Sequence, residues 1–178
     1  MKLSAVLPLG VFLVLGILLA SGIGKDPTQI PSPLLDKPAP EFELPVLGRE
    51  PETLSKKDLS GAPYLLNVWA SWCPACQIEH PYITELAERG PVPVYGLNWK
   101  DAREDAIRWL DFFGDPYRAS LFDGDGRTGI DFGVYGAPET FLIGADGRVL
   151  EKHIGPLDAA AFQEKFAPLI QGQATGAP

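Results

Sequence analysis

Trp69-Ala70-Ser71-Trp72-Cys73-Pro74-Ala75-Cys76, residues 69–76, contains the only two cysteines of the 178-residue chain and sets them two residues apart. Upstream, Tyr64-Leu65-Leu66-Asn67-Val68-Trp69-Ala70 is an apolar, aromatic-rich run of strand length. Downstream, Gln77 to Arg89 reads as a helix that ends at Gly90. The cysteines therefore fall where a strand turns into a helix. A thiol there meets unpaired N–H groups and the positive end of the helix dipole, both of which favour the nucleophilic thiolate. Cys73 is expected at the exposed end of that turn, with Cys76 one turn deeper.

Two plainer uses of the pair are weaker. A structural crosslink between such close residues closes a very short loop, which the chain-entropy model values at roughly 2 kcal/mol at best. A metal site would call for a second cysteine pair, and the only histidines are His80 and His153. Redox chemistry is the reading that the flanking strand and helix favour.

The length suits one domain with a sizeable core and extras at either end. A formal net charge of −8 without a Lys/Arg cluster excludes a nucleic-acid footprint. From Leu3 to Gly24 run 22 uncharged residues. That is long enough to cross a hydrocarbon core of about 30 Å as a helix, and longer than a usual signal-peptide core. We expect residues 1–24 to form an uncleaved membrane anchor, although Leu19-Ala20-Ser21-Gly22 offers small residues where a peptidase could cut. Lys2 on one side, and Lys25 offset by Asp26 on the other, favour the N-terminus inside and the cysteines outside the cytoplasm. Residues 25–40 carry five prolines and read as a semi-stiff tether, with a folded domain at 41–172 and a flexible tail at 173–178.

Within that domain, Glu41-Phe42-Glu43-Leu44 begins a short strand, and Ser55-Lys56-Lys57-Asp58-Leu59 is a capped helical turn. Val92 to Asn98 reads as a second core strand. Asp101 is expected to cap a helix whose apolar stripe is Ala106, Ile107, Leu110 and Phe113. Asp123-Gly124-Asp125-Gly126 reads as a turn, since it lacks the ligand order of a calcium loop. Asp146-Gly147 joins Phe141-Leu142-Ile143 to Val149–Ile154 as a hairpin. Asp158 caps a last helix with Phe162, Phe166, Leu169 and Ile170 on one face.

This order of elements resembles the thioredoxin superfamily. Residues 69–76 match its active-site signature, Pro81 its helix-kinking proline, and Pro138 its cis-proline facing the cysteines. More narrowly, Asn98-Trp99-Lys100-Asp101, residues 121–126 and Gly133-Val134-Tyr135-Gly136-Ala137-Pro138-Glu139-Thr140-Phe141-Leu142-Ile143 resemble the CcmG (DsbE) thiol:disulfide interchange proteins of bacterial cytochrome c maturation. The resemblance implies an α/β thioredoxin-like fold, a mixed central sheet flanked by helices, with an N-terminal strand extension and a central insertion, preceded by one transmembrane helix.

It further implies Cys73 and Cys76 as catalytic residues, and substrate docking at Ala137 and Pro138 with Trp72 and Pro74 beside the pair. Where cytoplasmic thioredoxins resemble a pattern with a buried aspartate, this chain has Asn67, which takes no proton. Glu79 and Glu139 are the candidates for redox tuning or proton transfer. Neither a cofactor nor a metal is implied. The implied partners are apocytochrome c or the maturation thiol protein bonded to it, and a membrane electron donor of the DsbD or CcdA type. The implied location is the bacterial inner membrane, single-pass, with the catalytic domain in the periplasm. Two alternatives stay open: a general extracytoplasmic reductase of the TlpA or ResA kind, and a copper metallochaperone using Cys73, Cys76 and His80.

Overall fold

Strand β3 (Tyr64–Trp69) is buried along its whole length, because both faces of the sheet it centres are covered. The structure is a computed structural model and describes residues 3–22 and 32–175. Its second unit, from Pro31 onward, holds a five-stranded sheet ordered β5-β4-β3-β6-β7. Here β4 is Val94–Trp99, β5 Ser120–Asp123, β6 Glu139–Ile143 and β7 Val149–Ile154. β3, β4 and β5 run parallel, whereas β6 is antiparallel to both β3 and β7. This is the mixed sheet that the resemblance implies.

Side chains alternate along β3 as its pleat requires. Leu65 and Trp69 join one core with Ile83 and Leu86 of α2 (Pro74–Arg89) and with Phe162, Phe166 and Ile170 near the C-terminus. Tyr64, Leu66 and Val68 join a second core with Phe42, Val46 and Phe132. Between β4 and β6 lie α3 (Arg103–Phe113), β5 and α4 (Arg127–Asp131). Asp123 is buried and accepts from the N–H groups of Thr128 and Gly129, so its carboxylate organises the turn into α4. The Asp146-Gly147 hairpin forms as predicted, with Gly147 at φ 77°.

The N-terminal extension reaches further than expected. β1 (Glu43–Pro45) and β2 (Thr53–Ser55) form their own antiparallel pair, followed by a 3-10 turn at Lys56–Leu59 whose Asp58 carboxylate accepts from the N–H and the hydroxyl of Ser55. Residues 35–39 were predicted to lie in the tether. Instead, Asp36 N–H donates to Val149 O, Val149 N–H to Lys37 O, and Ala39 N–H to Gly147 O. Prolines gave this stretch no periodicity, yet its backbone pairs with the start of β7 and the hairpin before it. At the other edge, Val46 bridges Leu121 and Leu47 N–H donates to Ser120 O.

The C-terminal helix begins as α5 (Ala159–Ala161), capped by Asp158, widens to a π-helical stretch at Phe162–Phe166, and continues as α6 (Ala167–Thr175). The wider turn rotates the apolar stripe. Phe162, Phe166 and Ile170 are buried, whereas Leu169 is exposed. On α3, likewise, Trp109 takes the buried place expected of Phe113.

The first unit, residues 1–30, contains α1 (Leu3–Gly22), with Pro8 inside it and no charged residue. Its described side chains are those of Pro8 and residues 10–19, and among the described residues no helix is long and apolar enough to cross a membrane. The ends of the expected anchor, residues 1–2 and 23–24, and the first part of the tether, residues 25–31, lie outside the described residues.

Candidate active site

Cys73 and Cys76 form a disulfide at the N-terminus of α2, with Cys73 as the N-cap and Pro74 as the first helical residue. The Cys76 N–H donates to Cys73 Sγ at 3.0 Å. On reduction, that amide and the dipole behind it oppose protonation of Cys73. Contrary to expectation, Cys73 is nearly as buried as Cys76, at 3% against 2% exposed. Both sulfurs belong to an apolar cluster that includes Ala70, Leu157 and Ala137. The exposed neighbours are Trp72 and Pro74.

The turn before the pair is braced from β4. Trp72 Nε1 donates to Lys100 O at 2.9 Å. Asp101 does not cap α3, which starts after Ala102. Its carboxylate instead accepts from Ser71 N–H, from Ser71 Oγ at 2.7 Å and from Asn98 Nδ2 at 2.9 Å. Two donors from Ser71 and one from Asn98 of β4, with Ala102 N–H at 2.9 Å, engage the carboxylate and leave it off the first turn of α3. The Ala137-Pro138 bond is cis, Pro138 is buried, and the N–H and C=O of Ala137 make no backbone hydrogen bond among the described residues.

The two candidate carboxylates occupy different environments. Glu79 lies one turn beyond Cys76 and is 3% exposed, facing the sheet rather than solvent. Its Oε2 accepts from Leu157 N–H at 2.7 Å and its Oε1 from Asn67 Nδ2 at 2.8 Å. Burial pushes the carboxyl up to about 7, against the opposing pull of those two donors. Asn67 also donates to Thr140 Oγ1 at 3.0 Å and accepts from the Tyr117 hydroxyl at 2.7 Å. Burial, with the charges of Glu79 and Asp115 nearby, raises Tyr117 well above the ordinary phenol range.

Glu139 lies on the opposite face of the sheet, in phase with Phe141 and Ile143. Lys152 Nζ is 2.8 Å from its Oε2, an ion pair without hydrogen-bond alignment, with both side chains nearly inaccessible. The same ammonium donates to Gly133 O at 2.8 Å and lies over the rings of Tyr135 and Phe141. Glu139 therefore carries a neutralised charge, and the pair ties β7 to the loop that leads to Pro138. An unpaired acid beside the cysteines does not describe it.

His80 does not serve the cysteines either. It is buried edge-on against Trp109, with Nε2 3.1 Å from Gly114 O and 3.3 Å from Phe113 O at the end of α3. Burial lowers its pKa. A ring held by helix-end carbonyls is a cap, so the metal reading loses its third ligand. Among the described residues no group of three His, Cys, Asp or Glu side chains is placed to hold a metal.

Sequence reasoning missed Tyr117, Thr140 and Lys152. A signal for Glu79 was present: Cys76, Glu79, His80, Ile83 and Leu86 recur at helical spacing, and all five are buried.

The Redoxin family model matches residues 34–165. Thiol:disulfide interchange protein DsbE of Allochromatium vinosum is 49% identical over 174 residues, covering 98% of this chain and 96% of that protein. DsbE of Pseudomonas aeruginosa is 47% identical over 165 residues, covering 93% and 91%. Among solved structures, a DsbF homologue from Corynebacterium diphtheriae superposes with a TM-score of 0.64 over 74% of this chain and 86% of that one; at 22% identity it bears on the fold alone. With a disulfide closed across the helix N-terminus of a thioredoxin-like sheet, this chain belongs to the Redoxin family, among the DsbE thiol:disulfide interchange proteins, and is a thiol:disulfide oxidoreductase.

Proposed function

We propose that the chain works outside the cytoplasm as a membrane-tethered reductant of disulfides in c-type cytochrome maturation. The substrate is the oxidised haem-attachment cysteine pair of apocytochrome c, or the maturation protein bonded to it. In this reading residues 1–24 anchor the protein in the inner membrane as a single pass, and the domain faces the periplasm. The full-length similarity to DsbE proteins supports it.

The reaction starts from the dithiol. The Cys73 thiolate attacks one sulfur of the substrate disulfide, that S–S bond breaks, and the departing substrate thiolate takes a proton. Cys76 gives up its proton and attacks Cys73 Sγ, which closes the 73–76 disulfide and releases the second substrate thiolate. Two electrons and two protons pass to the substrate. Glu79, buried and poised near 7, is the group we assign to take the Cys76 proton. When ionised, it also opposes a second negative charge on the thiols, which favours a reductant over a strong oxidant. Ala137, with its unengaged N–H and C=O, pairs with the extended substrate backbone, and Pro138, Trp72 and Pro74 complete the docking rim. Glu139 supports that rim through Lys152. A membrane dithiol donor of the DsbD or CcdA type restores the reduced state.

The observation that carries this reading is Glu79, a carboxyl 3% exposed one turn from Cys76 and held by Asn67 and Leu157, which burial pushes up to about 7. Full-length protein equilibrated in glutathione buffers should show a reducing midpoint; a value as oxidising as about −120 mV would overturn the assignment. Exposed to membranes, Cys76→Ala should accumulate a mixed disulfide on Cys73 with a cytochrome-maturation thiol protein, and Cys73→Ala should not.

A further inference from the structure

The hydrogen bonds around Asn67 have a direction. Tyr117 has one hydroxyl proton, and it is given to Asn67 Oδ1. That occupies the carbonyl end of the amide and leaves the two Nδ2 protons for Glu79 Oε1 and Thr140 Oγ1. Both contacts of the Glu79 carboxyl, Asn67 Nδ2 and Leu157 N–H, are therefore donors, an arrangement that suits a carboxylate and offers neither contact as an acceptor for a carboxylic O–H. If the amide turned over, Oδ1 would accept from protonated Glu79, and Nδ2 would face the phenol oxygen. The Tyr117 proton would then have no partner in a fully buried site.

We propose that Tyr117 is a positioning residue for the thiol chemistry: its hydroxyl locks the Asn67 amide with Nδ2 toward Glu79, and so sets the pH at which Glu79 can accept the Cys76 proton. This rests on the assignment of Glu79 as proton acceptor made above.

The surroundings leave Tyr117 few competitors. On its own helix Glu79 has Cys76. β3 and β6 present the neutral Asn67 and Thr140, the segment before α5 presents the Leu157 amide, and the segment before β5 presents Tyr117 with Asp115 behind it. None of the ion pairs among the described residues includes Glu79. Asp115 accepts from Tyr117 N–H and has the Arg49 guanidinium nearby as its cation. The acidity of Glu79 is thus governed by burial and two donors, one of which Tyr117 orients.

The test uses full-length protein in detergent, in the disulfide form so that no thiol titrates, with glutamate labelled at the carboxyl carbon. The Glu79 signal is assigned as the one absent from Glu79→Gln. In Tyr117→Phe the amide is free to turn, and the Glu79 midpoint should rise by about one pH unit, a tenfold loss of carboxylate at fixed pH. Asn67→Ala, which removes the donor itself, should raise it in the same direction. A midpoint in Tyr117→Phe within about 0.3 unit of the parent, or below it, overturns the proposal, and Asn67→Ala decides in the same way if the phenylalanine variant does not fold. The underlying reading has its own readout, the pH profile of disulfide exchange. If its inflection persists in Glu79→Gln, Glu79 is not the acceptor, whatever Tyr117 does to its titration.

Discussion

Replacing Glu79 by glutamine should make the protein more stable, and only above a definite pH. Glu79 is held protonated up to about 7, whereas an exposed glutamate loses its proton near 4.5. Below the lower value the carboxyl is neutral in both folded and unfolded chains, and the native state incurs no penalty from it. As pH rises through the window between the two, the unfolded chain ionises first and the folded state is left holding its proton. Stability is lost through that window and levels off above the folded value. The full difference corresponds to about 3 kcal/mol at about 1.4 kcal/mol per unit.

Glutamine stays neutral throughout and can still accept from Leu157 N–H. Urea unfolding of the disulfide forms at pH 4, 6 and 8.5 should therefore give curves for parent and Glu79→Gln whose separation shifts in favour of glutamine as pH rises, by about 3 kcal/mol in all. Any fixed loss from the altered bond to Asn67 is the same at each pH and drops out of that slope. A separation that stays constant within about 0.5 kcal/mol from pH 4 to 8.5, or that moves the other way, would refute the placement of Glu79 in a desolvated site.

Two other substitutions probe the frame around the cysteines. Lys152→Met leaves Glu139 as an uncompensated buried carboxylate and should cost about 3–5 kcal/mol of unfolding free energy, most of which Lys152→Met combined with Glu139→Gln should restore; a single-variant loss below about 1 kcal/mol would mean the pair is wetter than its burial implies. Asp101→Ala removes the acceptor of Ser71 and Asn98 and should lower stability by roughly 1–3 kcal/mol while slowing thiol exchange, read together by denaturation and by reduction of a peptide disulfide; full exchange rates in a destabilised variant would show that the brace does not position the pair.

What the sequence made legible was local. The cysteine spacing, the strand ahead of it, the Ser55 and Asp158 caps and the Asp146-Gly147 turn each depend on a few adjacent residues, and each formed. Asp101 shows how a local rule fails: aspartate before a helix has the chemistry of a cap, but Ser71, thirty residues earlier, supplies better donors. The Tyr117 bond spans fifty residues of chain, and no periodicity announces it. Glu79 was half legible, since the buried stripe of α2 runs through it but its charge argued for solvent. Residues 35–39 were misjudged because edge pairing is made by backbone groups, which composition does not reveal.

The segment from Leu35 to Leu47 meets both margins of the five-stranded sheet, at Gly147–Val149 where β7 begins and at Ser120 and Leu121 of β5. A foreign chain seeking to extend this sheet therefore finds the start of β7 and the start of β5 already taken. On the function proposed above, the extended segments of an unfolded substrate are turned away from those positions. On the same proposal Ala137, whose N–H and C=O make no backbone hydrogen bond among the described residues, is the place left for a visiting backbone, so recognition and chemistry coincide by exclusion as much as by attraction.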